Sequence, residues 1–250
     1  MSPAPPRVYL HIGLHKTGTT YLQNLLAANQ QQLRANGVDY PGGRDEPVQA
    51  FAALDLQGRR PRGYNDKRVE GSWEGLVTAI HARGLPTALV SDERLSMSTL
   101  KQVRRAVDSF PHSEVHVVVT VRDLGRIAVS AWQEDVKSDE TWTWQQFAAA
   151  IKDPQQIAKA PARGFWLRQD IPKICETWEA AVGASHVHVV IGAPVGLVTR
   201  RAGQAVRVGG GLRCRCACRA RLLDERDRRR GRDRGDSPRQ RAARGSAQPA

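Results

Sequence analysis

Apolar positions fall into four short runs, and most of the intervals between them carry helical spacing. Arg7 to Ile12, Thr87 to Ser91, Val115 to Val121 and His186 to Ile191 each read as a short buried strand, Val115 to Val121 being the strongest. Tyr21, Leu22, Leu25 and Leu26 lie on one helical face. They predict a helix from Gly18 or Thr19 to about Asn36, stopped by Gly37. The VDYPGG that follows reads as a turn. Residues 44–73 are polar, with one helical turn suggested by Phe51, Ala52, Ala53, Leu54 and Leu56, and suit a substrate-facing loop or a plain connection. Helices are predicted over Trp73–Arg83, Leu100–Phe110, Leu124–Lys137, Thr141–Ile151 and Phe165–Val182, with a polar loop holding two prolines at 152–164. Strands alternating with helices imply an α/β fold, a three-layer sandwich around a mostly parallel sheet.

Charge changes this picture only at one end. The net charge is +13, but 192–250 alone holds sixteen arginines and five acids, leaving 22 basic and 20 acidic residues before it. The folded part is expected over 7–191, nearly neutral. The 192–250 segment cannot bury a core and is expected to be a disordered basic tail. Its abrupt change of composition reads either as a natural basic tail or, the preferred reading, as an end the fold was not built around, such as a shifted reading frame produces. The high pI therefore gives no reason to expect a specific nucleic-acid partner. Cys214, Cys216 and Cys218 lie in this tail without a second cluster or nearby histidine, which argues against zinc. MSPAPPR has no apolar signal region and no apolar run reaches membrane-spanning length, so a cytoplasmic protein without a transmembrane segment is expected.

Candidate chemistry centres on the loop after the first strand, Gly13-Leu-His15-Lys16-Thr17-Gly18-Thr19-Thr20. A strand, a glycine-bracketed loop and a helix start present free backbone N–H groups and the positive end of the helix dipole to one point. Lys16 adds a charge, and Thr19 and Thr20 add hydroxyls. The ligand should be a phosphate or a group of that shape. The nucleotide-kinase loop puts lysine directly after the second glycine; here it stands two residues before, which argues against ATP with Mg²⁺.

The K-x-G-T-T run after a first strand resembles the 5′-phosphosulfate loop of sulfotransferases that use 3′-phosphoadenylyl sulfate (PAPS), including bacterial ones. VRDLGRIAVSAW, with Arg122 after a strand and Ser130 eight residues on, resembles their 3′-phosphate segment. The resemblance covers about 7–191 and implies a fold like that of the P-loop nucleotide hydrolases. It also implies PAPS as sulfuryl donor, no metal, and a hydroxyl of a carbohydrate or small molecule as acceptor. Gly13, His15, Lys16, Thr17, Gly18, Thr19, Thr20, Arg122 and Ser130 would hold the cofactor, Lys16 also neutralising the leaving oxygen. An acceptor hydroxyl needs a base. Ser91-Asp92-Glu93 resembles the S-x-E segment that carries one in some relatives, so Glu93 is the first candidate, with a salt bridge to Arg94 or Lys16 as its bland alternative. His15 is the competing base. Asp123 is expected to orient Arg122 or cap a helix. One departure stands out: no late glycine-rich basic segment of the R-K-G type follows, which implies a weaker hold on cofactor and leaves room for a catalytically impaired copy.

Overall fold

β1 (Arg7–His11) sits in the middle of the sheet, and its neighbours explain where the loop after it points. The structure, a computed structural model, describes residues 4–42, 48–59 and 66–192. The expected tail, with its cysteine run, lies outside these from residue 193 onward. After β1 come α1 (Thr19–Ala28), α2 (Gln30–Ala35), β2 (Val38–Asp39), α3 (Val48–Gln57), α4 (Ser72–Arg83) and β3 (Thr87–Ser91). Then follow α5 (Leu100–Asp108), β4 (Glu114–Val121), α6 (Leu124–Lys137), α7 (Trp144–Lys152), α8 (Ala162–Gln169), α9 (Ile171–Val182) and β5 (Val187–Ile191).

The sheet runs β2-β3-β1-β4-β5, every pairing parallel, with helices on both sides. The chain first winds outward from β1 to β2 and later crosses over it to β4. A crevice therefore opens at the carboxyl end of β1, where the flanking loops diverge. Strand period and burial agree on β4, where Val115, Val117, Val119 and Val121 are buried in alternation with half-buried residues. With Val8 and Leu10 of β1 and Ile12 just after it they form the main core, closed by Leu76 and Trp73 of α4, Val103 of α5 and Trp178 of α9. A second, smaller core gathers Ile127, Phe147 and Phe165 from α6, α7 and α8.

Where one helical turn was expected, α3 runs for ten residues; three further elements differ from the sequence-based expectation, each for a local reason. The first helix breaks at Asn29, whose side-chain amide donates to the Leu25 carbonyl at 2.8 Å and competes with the helical ladder. The expected turn at VDYPGG begins with a two-residue strand, β2, fixed because buried Asp39 is held by Arg83 at 3.1 Å and Arg34 at 3.7 Å. The single helix expected over Phe165–Val182 is two helices. Asp170 caps the second by accepting from the Lys173 N–H at 3.2 Å, and Pro172 at its start has no N–H to continue the first.

Candidate functional site

The loop between β1 and α1 is built by backbone conformations that few residue types adopt. Gly13 has φ +40°, and a Cβ there would collide with the Thr19 methyl. Gly18, at φ +97°, starts α1 in the left-handed region. Lys16 adopts φ +69°, a strained angle for a side-chain-bearing residue. Leu14 N–H donates to Thr120 O at 3.0 Å, and Thr17 N–H to Leu14 O at 3.3 Å, pinning the loop's start to β4. Among the described residues, the N–H groups of His15, Lys16, Gly18, Thr19 and Thr20 find no acceptor. Only Thr19 of these is buried, and a loop run of unpaired amides is suited to an anion that accepts from several at once.

Beneath the loop runs a polar chain that sequence spacing did not reveal. Thr17 Oγ1 lies 3.0 Å from Thr120 Oγ1, which lies 3.2 Å from His11 Nε2. His11 Nδ1 in turn lies 2.7 Å from Ser91 Oγ. Burial lowers the His11 pKa, keeping it a neutral link between β1, β3 and β4. His11, Ser91 and Thr120 lie one per strand and Thr17 in the loop above, so strand register brings them together.

A cavity of about 850 Å³ opens above the loop, within the range that encloses a nucleotide-sized ligand. His15, Lys16, Gly18, Thr19, Thr20, Glu93 and Arg122, all singled out from sequence, line it. Gly13, Thr17 and Ser130 do not. Gly13 and Thr17 shape the loop from behind, while half-buried Ser130 sits on α6 one turn before a lining residue, Glu134. Asp123 caps α6, accepting from the Arg126 N–H at 3.0 Å.

The cations on the wall are in two conditions. Lys16 Nζ is 2.8 Å from Glu134 Oε2, and Arg94 is 2.7 Å from Asp92 Oδ2. Arg122 and Arg168 have no hydrogen-bond or salt-bridge partner among the described residues. The Lys16–Glu134 pair is half-exposed, with side chains 31% and 51% accessible. Such a pair is worth at most about 1 kcal/mol, so it yields readily to a multiply charged anion. Arg168, Gln169 and Glu134 were missed in the sequence because each stands inside a helix with no motif around it. Gln169 is buried and donates to the His15 carbonyl at 2.9 Å, tying α8 to the loop; its own Oε1 has no partner.

Glu93 escapes both bland partners, since Arg94 pairs with Asp92 and Lys16 with Glu134. It accepts from Gln23 Nε2 at 3.2 Å. Burial pushes its pKa up, but its own backbone N–H, His15, Gln23 and Arg94 outweigh this and hold it below the usual carboxylate range. Burial pushes His15 down to about 4, opposed by Glu93 and aided by Arg168, Arg94 and Lys16. Its Nδ1 is buried without a hydrogen-bond partner among the described residues. Asp92 rises to about 6, chiefly through burial. At neutral pH the wall thus offers an ionised carboxylate and an uncharged imidazole side by side, facing cations and free amides.

No protein-family profile matches the chain, and no curated protein matches it. A sulfotransferase from Alicyclobacillus acidocaldarius is similar in its solved structure, with a TM-score of 0.46 and 15% identity over 76% of this chain and 74% of that one.

Proposed function

We propose that the crevice transfers a sulfuryl group from PAPS to a hydroxyl of a carbohydrate or small-molecule acceptor. The observation that carries this reading is the set of donors on one wall that are unsatisfied among the described residues: free loop amides around Lys16, with Arg122 and Arg168. A donor with phosphate at both ends of its nucleotide would satisfy separated cations that a single phosphate cannot reach together. The loop amides, Thr19 and Thr20 would hold the 5′-phosphosulfate, and Arg122 the 3′-phosphate, through charge-assisted hydrogen bonds.

In the transfer, the acceptor oxygen forms a bond to sulfur while the bond from sulfur to the bridging oxygen breaks. Negative charge grows on the departing phosphate, where Lys16, released from Glu134, stabilises it electrostatically. The acceptor's proton passes to Glu93, which is ionised and hydrogen-bonded by Gln23. His15, uncharged and with a free Nδ1, completes the wall as a donor or acceptor to the cofactor. Catalysis is then mostly alignment and charge stabilisation, as in phosphoryl transfer.

Calorimetry with adenosine 3′,5′-bisphosphate against ATP with Mg²⁺ tests the reading. Saturable binding of the bisphosphate, weakened by Lys16→Ala, is expected. Tight binding of ATP with none of the bisphosphate would sink it in favour of a kinase-like protein.

A further inference from the structure

We propose that Glu114, His116 and His186 form a binding site for a divalent transition cation of the zinc class, at the end of the sheet opposite the crevice. None of these residues belongs to a sequence motif, and the inference does not depend on what the crevice does. Strand period puts Glu114 and His116 on one face of β4. His186 ends the short turn Ala184–His186 that leads into β5, which pairs with β4 in parallel.

The distances are those a small ion requires. Glu114 Oε1 lies 3.3 Å from His186 Nε2 and 3.5 Å from His116 Nε2. An ion holding nitrogen and oxygen ligands at ~2.0–2.1 Å in tetrahedral geometry spaces them about 3.4 Å apart. All three ligand atoms fall within 4.8 Å of one another, so a small swing of one imidazole closes the third edge. His116 Nε2 is buried and makes no hydrogen bond among the described residues. A lone pair in that condition is what a cation would satisfy.

Each ligand also has its other polar atom held, the arrangement that orients metal ligands. Arg7 Nε donates to Glu114 Oε2 at 3.0 Å. His116 Nδ1 is 3.0 Å from His188 Nε2, and His186 Nδ1 is 3.2 Å from Ser185 Oγ. With the protons on the two Nδ1 atoms, both Nε2 atoms face the carboxylate unprotonated. The His116 ring stacks on Tyr9 with centroids 5.1 Å apart, fixing its plane. Two imidazoles and one carboxylate suit zinc better than calcium or magnesium, which prefer all-oxygen shells. The remaining coordination position would take water. The consequence is structural: β5 is an edge strand with residues 188–191 exposed, and the ion would fasten its start to β4.

The full-length chain, stripped with a chelator and carrying serine at Cys214, Cys216 and Cys218 so that thiolates cannot compete, is titrated with Zn²⁺ by calorimetry. One equivalent with a Kd of about 1 μM or tighter is expected, and bound Co²⁺ should show visible ligand-field bands without thiolate charge transfer. His116→Ala and His186→Ala should each weaken binding more than about 100-fold, and Arg7→Ala or His188→Ala about 10-fold. If His116→Ala fails to fold by circular dichroism, His186→Gln, on a half-exposed turn, carries the test. Absence of stoichiometric binding in the chain without the three tail thiols, or binding that survives loss of His186, overturns the proposal.

Discussion

The two ends of β4 differ in how they treat polar groups. At the carboxyl end, Arg122 and the neighbouring loop amides are left without partners among the described residues, and Lys16 sits in a weak, half-exposed salt bridge. At the amino end, roughly 23 Å away along the strand, Arg7, Glu114, His116, His186 and His188 bind one another closely. Unpaired groups cost stability and are tolerated where a ligand completes them. The amino-end cluster is instead paired within itself apart from His116 Nε2, the atom the proposed ion would take, and ties strands together. The comparison predicts that changes at the carboxyl end alter binding and turnover, while changes at the amino end alter stability.

Lys16→Ala is the largest expected loss. Turnover with PAPS and an acceptor should fall about 10²–10³-fold, the size of one lost charge-stabilising contact. Steady-state rates on the full chain check it, and an unchanged rate breaks the assignment. Glu93→Gln should come next, at about 10²-fold in turnover, with bisphosphate affinity kept in calorimetry. Because Glu93 is held below the usual carboxylate range, wild-type turnover should stay level from about pH 8 to about pH 5 and drop only as the carboxylate protonates. Full activity of the glutamine variant would move the base to His15.

Arg168→Ala and Arg122→Ala should each weaken bisphosphate binding about 10-fold, since a charged hydrogen bond is worth about 1.5 kcal/mol. Their unfolding midpoints in urea should not move, because neither arginine pairs within the described residues. A loss of stability without a loss of binding would erase the contrast between the two ends.

The smallest effect is on the pH dependence of stability. His11 and His15 both have folded pKa values below the unfolded 6.5. The unfolded chain therefore binds more protons below that value, and their contribution to stability, complete above it, is lost as pH falls toward 4. His15→Gln should flatten the fall in urea stability between about pH 7 and about pH 5.

Much of this architecture was legible because local signals were strong. The Thr87–Ser91 strand and the Leu124–Lys137 helix match their expected bounds, since apolar period and flanking polar residues agree there. β2 was hidden because two residues before Pro41 and Gly42 carry no period at all. The break at Asn29 was hidden because asparagine inside a helical face leaves the apolar spacing intact. The loop was legible in order and spacing, and its residues from His15 to Thr20, apart from Thr17, come to the cavity wall with Glu93 and Arg122. Arg168, Gln169 and the His11 chain were not, because only strand register and the packing of α8 bring them to the crevice. The Glu114–His116–His186 cluster was invisible for the same reason, its ligands lying 70 residues apart until β5 pairs with β4.

The left-handed backbone at Lys16 sets two kinds of fitness against each other at one position. Glycine there would relieve strain of about 1 kcal/mol and leave the loop without its cation. A library of variants screened only for survival of heating should therefore enrich glycine at 16, and the hardiest members should be those least able to hold an anion.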